Sequence, residues 1–204
     1  MKTKYTPYSI IKIIYTLIIK YKLDLFVFNY NILIFRLSYP FSYFDRRLNL
    51  IIESIDLFSI GKDSSISAFS TISVSNDSAN DLNNSFLMIG NRTYIGEYNN
   101  IRAGGGTIWI GDDCLISQHI TIVASNHSID KSEVIRNQKW STKNNFVIIN
   151  NDVWIGANSV ILPGVTIGQG AVIGAGSIVN TDIPDYAIVK GNPAQIVNYR
   201  LIKK

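Results

Sequence analysis

The sequence predicts an all-β domain built as a parallel β-solenoid, and three observations predict it. Isoleucine or valine recurs every six residues, small or branched residues stand four places after each, and a few discrete insertions interrupt the period. Ile149, Ile155, Ile161, Ile167, Ile173 and Val179 keep the spacing without a gap, and the same template fits Ile60, Ile66 and Ile72, then Ile89, Ile95 and Ile101, then Ile110, Ile116 and Ile122. Four places further on from the first series come Val153, Ser159, Val165, Ala171, Ser177 and Ile183. One place further on come Asn150, Gly156, Leu162, Gly168, Gly174 and Asn180, mostly residues tolerant of a tight bend. A period of six is neither the 3.6 of a helix nor the alternation of an open sheet. It suits a short strand, a bend and another strand, with three sides closing a triangular coil of about 18 residues. Fifteen hexads then make about five coils stacked at about 4.8 Å. Cys114 occupies a fourth position and is read as a small core residue, not as a nucleophile.

Composition narrows the class. With 204 residues, 47% of them hydrophobic, the chain suits one domain with a real core and not a disordered one. A single cysteine excludes an internal disulfide framework, and one cysteine with two histidines makes a Cys/His zinc site unexpected. The net charge of +4 is unevenly spread: residues 1–50 hold eight basic and two acidic groups, 8 − 2 = +6, which leaves 4 − 6 = −2 for the rest. The main body is therefore not expected to bind nucleic acid.

Residues 1–55 form an apolar, basic segment. The uncharged stretch Leu25–Phe35 is too short for a bilayer span, which needs about 20 residues. Lys12, Lys20 and Lys22 interrupt any signal-peptide core. Ile10, Ile11, Ile14, Leu17 and Ile18 recur at helical spacing with Lys12 and Lys20 on the other face. Such a helix either packs on protein or lies on an anionic membrane surface, so residues 1–40 carry the expectation of contact with the inner face of the membrane by a cytoplasmic protein.

Breaks in the repeat mark added segments. Ser78–Met88 is a polar insertion, Ala103–Gly106 lengthens one hexad from six to nine, and Ser128–Ile148 is a long charged excursion. The repeat ends at Ile183–Pro184. The expected organisation is an N-terminal segment 1–55, a solenoid 56–185 with its loop at 128–148, and a tail 186–204.

The block Val153-Trp154-Ile155-Gly156-Ala157-Asn158-Ser159-Val160-Ile161-Leu162-Pro163-Gly164-Val165-Thr166-Ile167-Gly168 closely resembles the hexapeptide-repeat acyltransferases. So do Ile173-Gly174-Ala175-Gly176-Ser177-Ile178-Val179 and Gly191-Asn192-Pro193-Ala194. The similarity covers roughly residues 60–198 and is nearest to the O-acetyltransferases of galactosides, maltose, capsule and O-antigen. It implies a left-handed parallel β-helix, against the usual right-handed crossover. It also implies a homotrimer with acetyl-CoA, as co-substrate and not as bound cofactor, in the cleft between adjacent prisms.

Acyl transfer to a sugar hydroxyl needs a base, and histidine titrates near neutral pH. The residues themselves leave His119, within a side of the coil, and His127, at the opening of the long loop. The resemblance assigns catalysis to His127, because Asn126-His127 matches the family's junction before the protruding loop. His127 would take the hydroxyl proton, the alkoxide would attack the thioester, and a backbone N–H would hold the oxyanion. Asp130 and Glu133 are both candidates to orient the imidazole. For CoA the resemblance implies Trp154, Ala157, Ala175, Asn180 and Thr181. Gln195 replaces a basic residue common after Gly-x-Pro-Ala, with Lys190 and Arg200 as substitutes for the phosphate contact. Asn100, Arg102, Asn126 and the Gly104–Gly106 bulge are the expected acceptor site.

The resulting expectation is an acetyl-CoA-dependent O-acetyltransferase acting on a sugar of capsule, O-antigen or exopolysaccharide, with no metal. Two histidines exclude a three-histidine carbonic anhydrase on the same fold. An N-acetyltransferase of an amino sugar, a serine or drug acetyltransferase, and a non-catalytic solenoid are the competing readings.

Overall fold

In the computed structural model the hexads build three parallel sheets, which are the three faces of a prism. The structure describes residues 15–16, 18–20, 22, 32–76 and 84–201. The helix expected around Ile10–Ile18 falls almost wholly outside the described residues.

Each coil contributes one strand per face. The first coil is β1 (Tyr43–Phe44), β2 (Asn49–Ile52) and β3 (Phe58–Ile60), and the second is β4 (Ser65–Ile66), β5 (Thr71–Val74) and β6 (Phe86–Ile89). The third is β7 (Tyr94–Ile95), β8 (Asn100–Arg102) and β9 (Thr107–Ile110), and the fourth β10 (Leu115–Ile116), β11 (Thr121–Val123) and β12 (Phe146–Ile149). The fifth is β13 (Trp154–Ile155), β14 (Val160–Ile161) and β15 (Val165–Ile167). A sixth, β16 (Val172–Ile173) and β17 (Ile178–Val179), is closed on the third face only by an isolated bridge from Ile183 to Ile167. On the first face β18 (Ala187–Lys190) pairs with β16, and β19 (Gln195–Tyr199) ends the sheet antiparallel to β18. The coil is a left-handed parallel β-helix.

The solenoid starts at Tyr43, upstream of the expected boundary at 55, because β1 and β2 pair in register with β4 and β5. The first coil hid from the pattern for two reasons. Its ladder positions are Phe44 and Leu50 instead of isoleucine, and a 3-10 turn at Ile55–Leu57 puts ten residues between Leu50 and Ile60 where the repeat has six. Residues 32–38 are helical and close the open end: Ile32 and Phe35 are buried, and Phe35 stacks among Phe44, Phe58 and Tyr39. The Arg36 guanidinium donates to the Phe44 carbonyl at 2.6 Å and the Tyr39 hydroxyl to the Phe58 carbonyl at 2.6 Å. These donors occupy carbonyls that an uncovered sheet edge would expose.

Each hexad position has its own task. The isoleucine ladders are fully buried. Hydroxyls at the fourth position tie coils together: Ser64 Oγ donates to the Gly90 carbonyl, Ser70 to Gly96 and Thr93 Oγ1 to Gly111. Cys114 fills the same place, buried, with Sγ 3.1 Å from the Asn150 carbonyl; desolvation pushes its thiol up. One expectation is corrected. The residue after the ladder does not make the bend, since the left-handed φ falls two places later, at Asp63, Phe69, Arg92, Tyr98, Asp113, His119, Asp152, Asn158, Gly164, Gly170 and Gly176. Glycine follows the ladder because the next coil passes too close for a Cβ, which at Gly156 would lie 2.6 Å from Ala175 N.

The insertions lie three to four residues earlier than the broken pattern suggests. Phe86–Met88 belongs to β6 and Phe146–Ile148 to β12, so the departures run over 75–85 and 124–145.

Candidate active site

His127 stands where the chain leaves the prism after β11. Its loop folds back on itself as a hairpin. His127 forms an antiparallel bridge with Trp140, Ser128 N donates to the Lys139 carbonyl at 3.1 Å, and Ser141 N to the Asn126 carbonyl at 2.8 Å. Gln138, buried, pins the distal end: its Oε1 accepts from Asp130 N, and its Nε2 donates to the carbonyls of Asp130 and Glu133. The His127 and Trp140 rings meet edge to face, with centroids 5.6 Å apart. Trp140 is accommodated by the bulge in the coil before: a Cβ on Gly104 would sit 3.2 Å from its Cη2.

The exposed imidazole forms the wall between two clefts. One, of about 330 Å³, is bounded by Ser73, Ser75, Arg102, Gly104, Asn126 and Trp140 among others. The second, of about 650 Å³, runs along Ser128, Ile129, Ser141 and Lys143. Arg102 and Asn126, named above as acceptor candidates, therefore line one cleft with His127, and Asn100 holds Arg102 by accepting from its Nε at 3.0 Å. Ser73, Ser75 and Trp140 were missed. The serines were legible as outward-facing alternates of the Ile72 and Val74 strand, whereas nothing in the loop sequence marked Trp140 as the partner of His127.

Neither candidate orienting carboxylate reaches the imidazole. Asp130 accepts from Ser132 N at 2.7 Å and from Ser132 Oγ at 2.6 Å, contacts that hold its carboxyl below the usual range. Among the described residues His127 has no hydrogen bond from its ring, and Glu133 meets the loop through its backbone. His119 is not within a side of the coil. It occupies a corner at φ +57 and stacks flat on Tyr98, centroids 5.0 Å apart, which in turn stacks on Phe69. A left-handed corner aims successive side chains into one column, so a spacing argument that placed it on a flat side misplaced it.

The residues expected to bind CoA are not gathered in one cleft of a single chain. Trp154 is exposed on the first face, its Nε1 donating to Ser117 Oγ at 3.3 Å, beside Leu115 and Val172. Ala157 and Ala175 lie on the corner between first and second faces, linked by Gly176 N donating to the Ala157 carbonyl. Asn180 and Thr181 are exposed on the edge that carries His127, two coils further along, and Lys190 ends β18. Arg200 is tied to Asp152 Oδ2 at 2.8 Å.

Residues 146–181 match the bacterial transferase hexapeptide (six repeats) family. A hexapeptide-repeat containing acetyltransferase of Vibrio cholerae O1 biovar eltor, solved with acetyl coenzyme A, is 32% identical over 71% of this chain and 73% of its own, with a TM-score of 0.57. The chain belongs to the hexapeptide-repeat acyltransferase family. The galactoside O-acetyltransferase of Escherichia coli K12 is 36% identical over 106 residues, and the chain spans about half the length of that relative, 51%. AntD, an N-acyltransferase of Bacillus cereus solved with dTDP and coenzyme A, shares the fold at 23% identity, covering 78% of this chain and 84% of its own, TM-score 0.62.

The segment with the hexapeptide match carries Trp154, Ala157, Ala175, Asn180 and Thr181, whereas His127 and its hairpin lie upstream of it. Among the described residues no group of three or more His, Cys, Asp or Glu side chains is placed to hold a metal ion, and no helix is long and apolar enough to cross a membrane.

Proposed function

We propose that this acyltransferase moves an acetyl group from acetyl-CoA to a sugar hydroxyl, with His127 as general base. The observation that carries the reading is that one exposed imidazole is shared by two clefts, so that two substrates can converge on it. His127 takes the hydroxyl proton as the oxygen attacks the thioester carbonyl, and returns it to the departing CoA thiolate. Proton and acyl group are thereby both accounted for, and no covalent enzyme intermediate is needed.

Trp154, Ala157 and Ala175 face away from His127 within one chain. The reading therefore puts the donor between two copies of a homotrimer, with Trp154, Ala157 and Ala175 of one copy, and the exposed Asn180, Thr181 and Lys190, as its CoA contacts. Asn100, Arg102 and Asn126 hold the acceptor. A glycan of capsule, O-antigen or exopolysaccharide is the acceptor class this reading favours, met on the cytoplasmic side with residues 1–40 near the membrane.

Release of CoA thiol from acetyl-CoA in the presence of glycan tests the proposal. His127→Ala is expected to lower glycan-dependent release by about 10²- to 10⁴-fold at unchanged folding and CoA affinity. Equal rates in the two proteins remove His127 from the mechanism, and faster release with an amino sugar than with its hydroxyl counterpart makes the enzyme an N-acetyltransferase.

A further inference from the structure

We propose that the acceptor is an acidic sugar, its negative group a carboxylate or a phosphate, and that Arg102 binds that group; calling the ligand an acceptor rests on the reading above. The second face presents two outward columns. Strand register runs one as Ile51, Ser73, Arg102 and Val123, and the other as Asn49, Thr71, Asn100, Thr121, Val160 and Ile178. Arg102 is the one charged residue in either column. Its neighbours along the column, Ser73 and Val123, offer it no countercharge.

The guanidinium is nonetheless positioned. Asn100 Oδ1 accepts from Nε, which fixes the plane of the fork, and among the described residues no acceptor meets the two terminal nitrogens. Arg47, Arg92 and Arg200 each reach a carboxylate at 2.7–2.9 Å, and among the described residues Arg102 meets none. It lines the cleft that His127 closes, and among the described residues no acidic side chain lines that cleft with it. A planar fork held at one nitrogen and open at the other two matches the paired oxygens of a carboxylate or phosphate. Hydroxyls of Ser73 and Ser75 on the same wall suit the uncharged remainder of a sugar. A neutral acceptor would leave this charge unpaired once the cleft was filled.

The test reads binding, not turnover, on the full chain. Calorimetry at low salt compares three probes that differ only at C6: 4-nitrophenyl β-glucoside, the corresponding β-glucuronide and the β-glucoside 6-phosphate. At least one acidic probe is expected to bind about tenfold more tightly than the neutral one, a ratio that falls with added salt. Which acid wins distinguishes carboxylate from phosphate. Arg102→Gln is expected to bring the ratio close to one, and Arg102→Lys to keep some of it. Equal affinity for all three probes, or binding of none, overturns the proposal. So does an acid preference that survives in Arg102→Gln, or weakened binding of CoA alone in that variant, which would make Arg102 a donor contact. Should Arg102→Gln not fold, the wild-type ratio and Arg102→Lys decide. Because no acyl transfer is read, failure of the His127 experiment and failure of this one are separable.

Discussion

Gly156 and Gly176 lie on one corner of the prism in successive coils, and alanine at each tests which hexad position needs the left-handed turn. A Cβ on Gly156 would lie 2.6 Å from Ala175 N, 2.9 Å from the Ile173 carbonyl oxygen and 3.0 Å from Ala175 Cα. All three are backbone atoms of the next coil, so no side chain can rotate out of the way. Overpacking of this kind costs about 1–3 kcal/mol, and a clash relieved only by pushing adjacent coils away from each other belongs at about 3. Gly176 differs on both counts: its φ is +71 and nothing lies within 4 Å of an added Cβ. Alanine there meets the left-handed cost of about 1–2 kcal/mol, offset by about 0.4–1 from a less flexible unfolded chain. The net is about 0.5–1 kcal/mol. Asparagine at Gly176 should be nearly neutral, because Asn158 occupies the equivalent place one coil earlier at φ +61. Urea unfolding at fixed protein concentration measures both, with the slope m as a check on the unfolded state. A gap of about 2 kcal/mol is expected, with Gly156→Ala the worse. A Gly176→Ala variant as unstable as Gly156→Ala would refute the division of tasks.

Three further outcomes follow from named contacts. Ser70 Oγ donates to the Gly96 carbonyl and accepts from Asn99 N, so Ser70→Ala should cost about 1–3 kcal/mol in the same assay; a neutral result would mean the buried donor finds another partner. Trp140→Ala, which removes the edge contact with His127, is expected to cut thiol-release kcat about tenfold with little change in the urea midpoint, and a shifted midpoint with unchanged kcat would make Trp140 purely structural. Hydrogen bonds from Arg47 hold the Asp45 carboxyl at about 2. Since the unfolded value is about 3.9, the stability from Asp45 is present above that value and lost as pH falls towards 2. Thermal unfolding of wild type and Asp45→Asn should therefore converge in that window, and parallel curves would contradict the assignment.

The ladder isoleucines declared the solenoid because a narrow prism admits one kind of inward side chain, repeated at every side. What failed to show did so for physical reasons. Phe44 and Leu50 stand in the ladder in place of isoleucine in the coil next to the helical cap at 32–38, where Phe44 packs on Phe35, and the residues at left-handed φ are chemically mixed, from Phe69 to Asp152. A position defined by backbone angle and open to solvent leaves little trace in side-chain type. At the candidate site, His127 could be singled out as a histidine beside a charged loop, and Arg102 for its closeness to the histidine rung. Trp140 could not be, since its partner Gly104 lies 36 residues earlier, 140 − 104, and only the fold brings them together.

The insertions share one edge, and that explains where the candidate site is. From the first face to the second the ladder spacing is always six, as in Phe44 to Leu50 or Ile116 to Ile122, and so it is from the third to the first, as in Ile60 to Ile66 or Ile149 to Ile155. Between second and third faces it is ten, seventeen, nine and twenty-seven in the first four coils: 50 to 60, 72 to 89, 101 to 110 and 122 to 149. The other two edges cannot lengthen without losing bonds between coils. One is sewn by Asx side chains, Asn91 to Lys62 N, Asp112 to Asn91 N and Asn151 to Asp112 N, and the other by Ser70, Asn99 and Ser159. The third edge has bonds between coils too, Ser125 Oγ to the Gly104 carbonyl and Gly105 N to Ser85 Oγ, but no residue type repeated from coil to coil, and it is there that the Gly104 bulge, the His127 hairpin and, on the adjoining strand, Arg102 are stacked in neighbouring coils. A repeat whose interior tolerates little change thus carries its candidate site on the seam whose length varies.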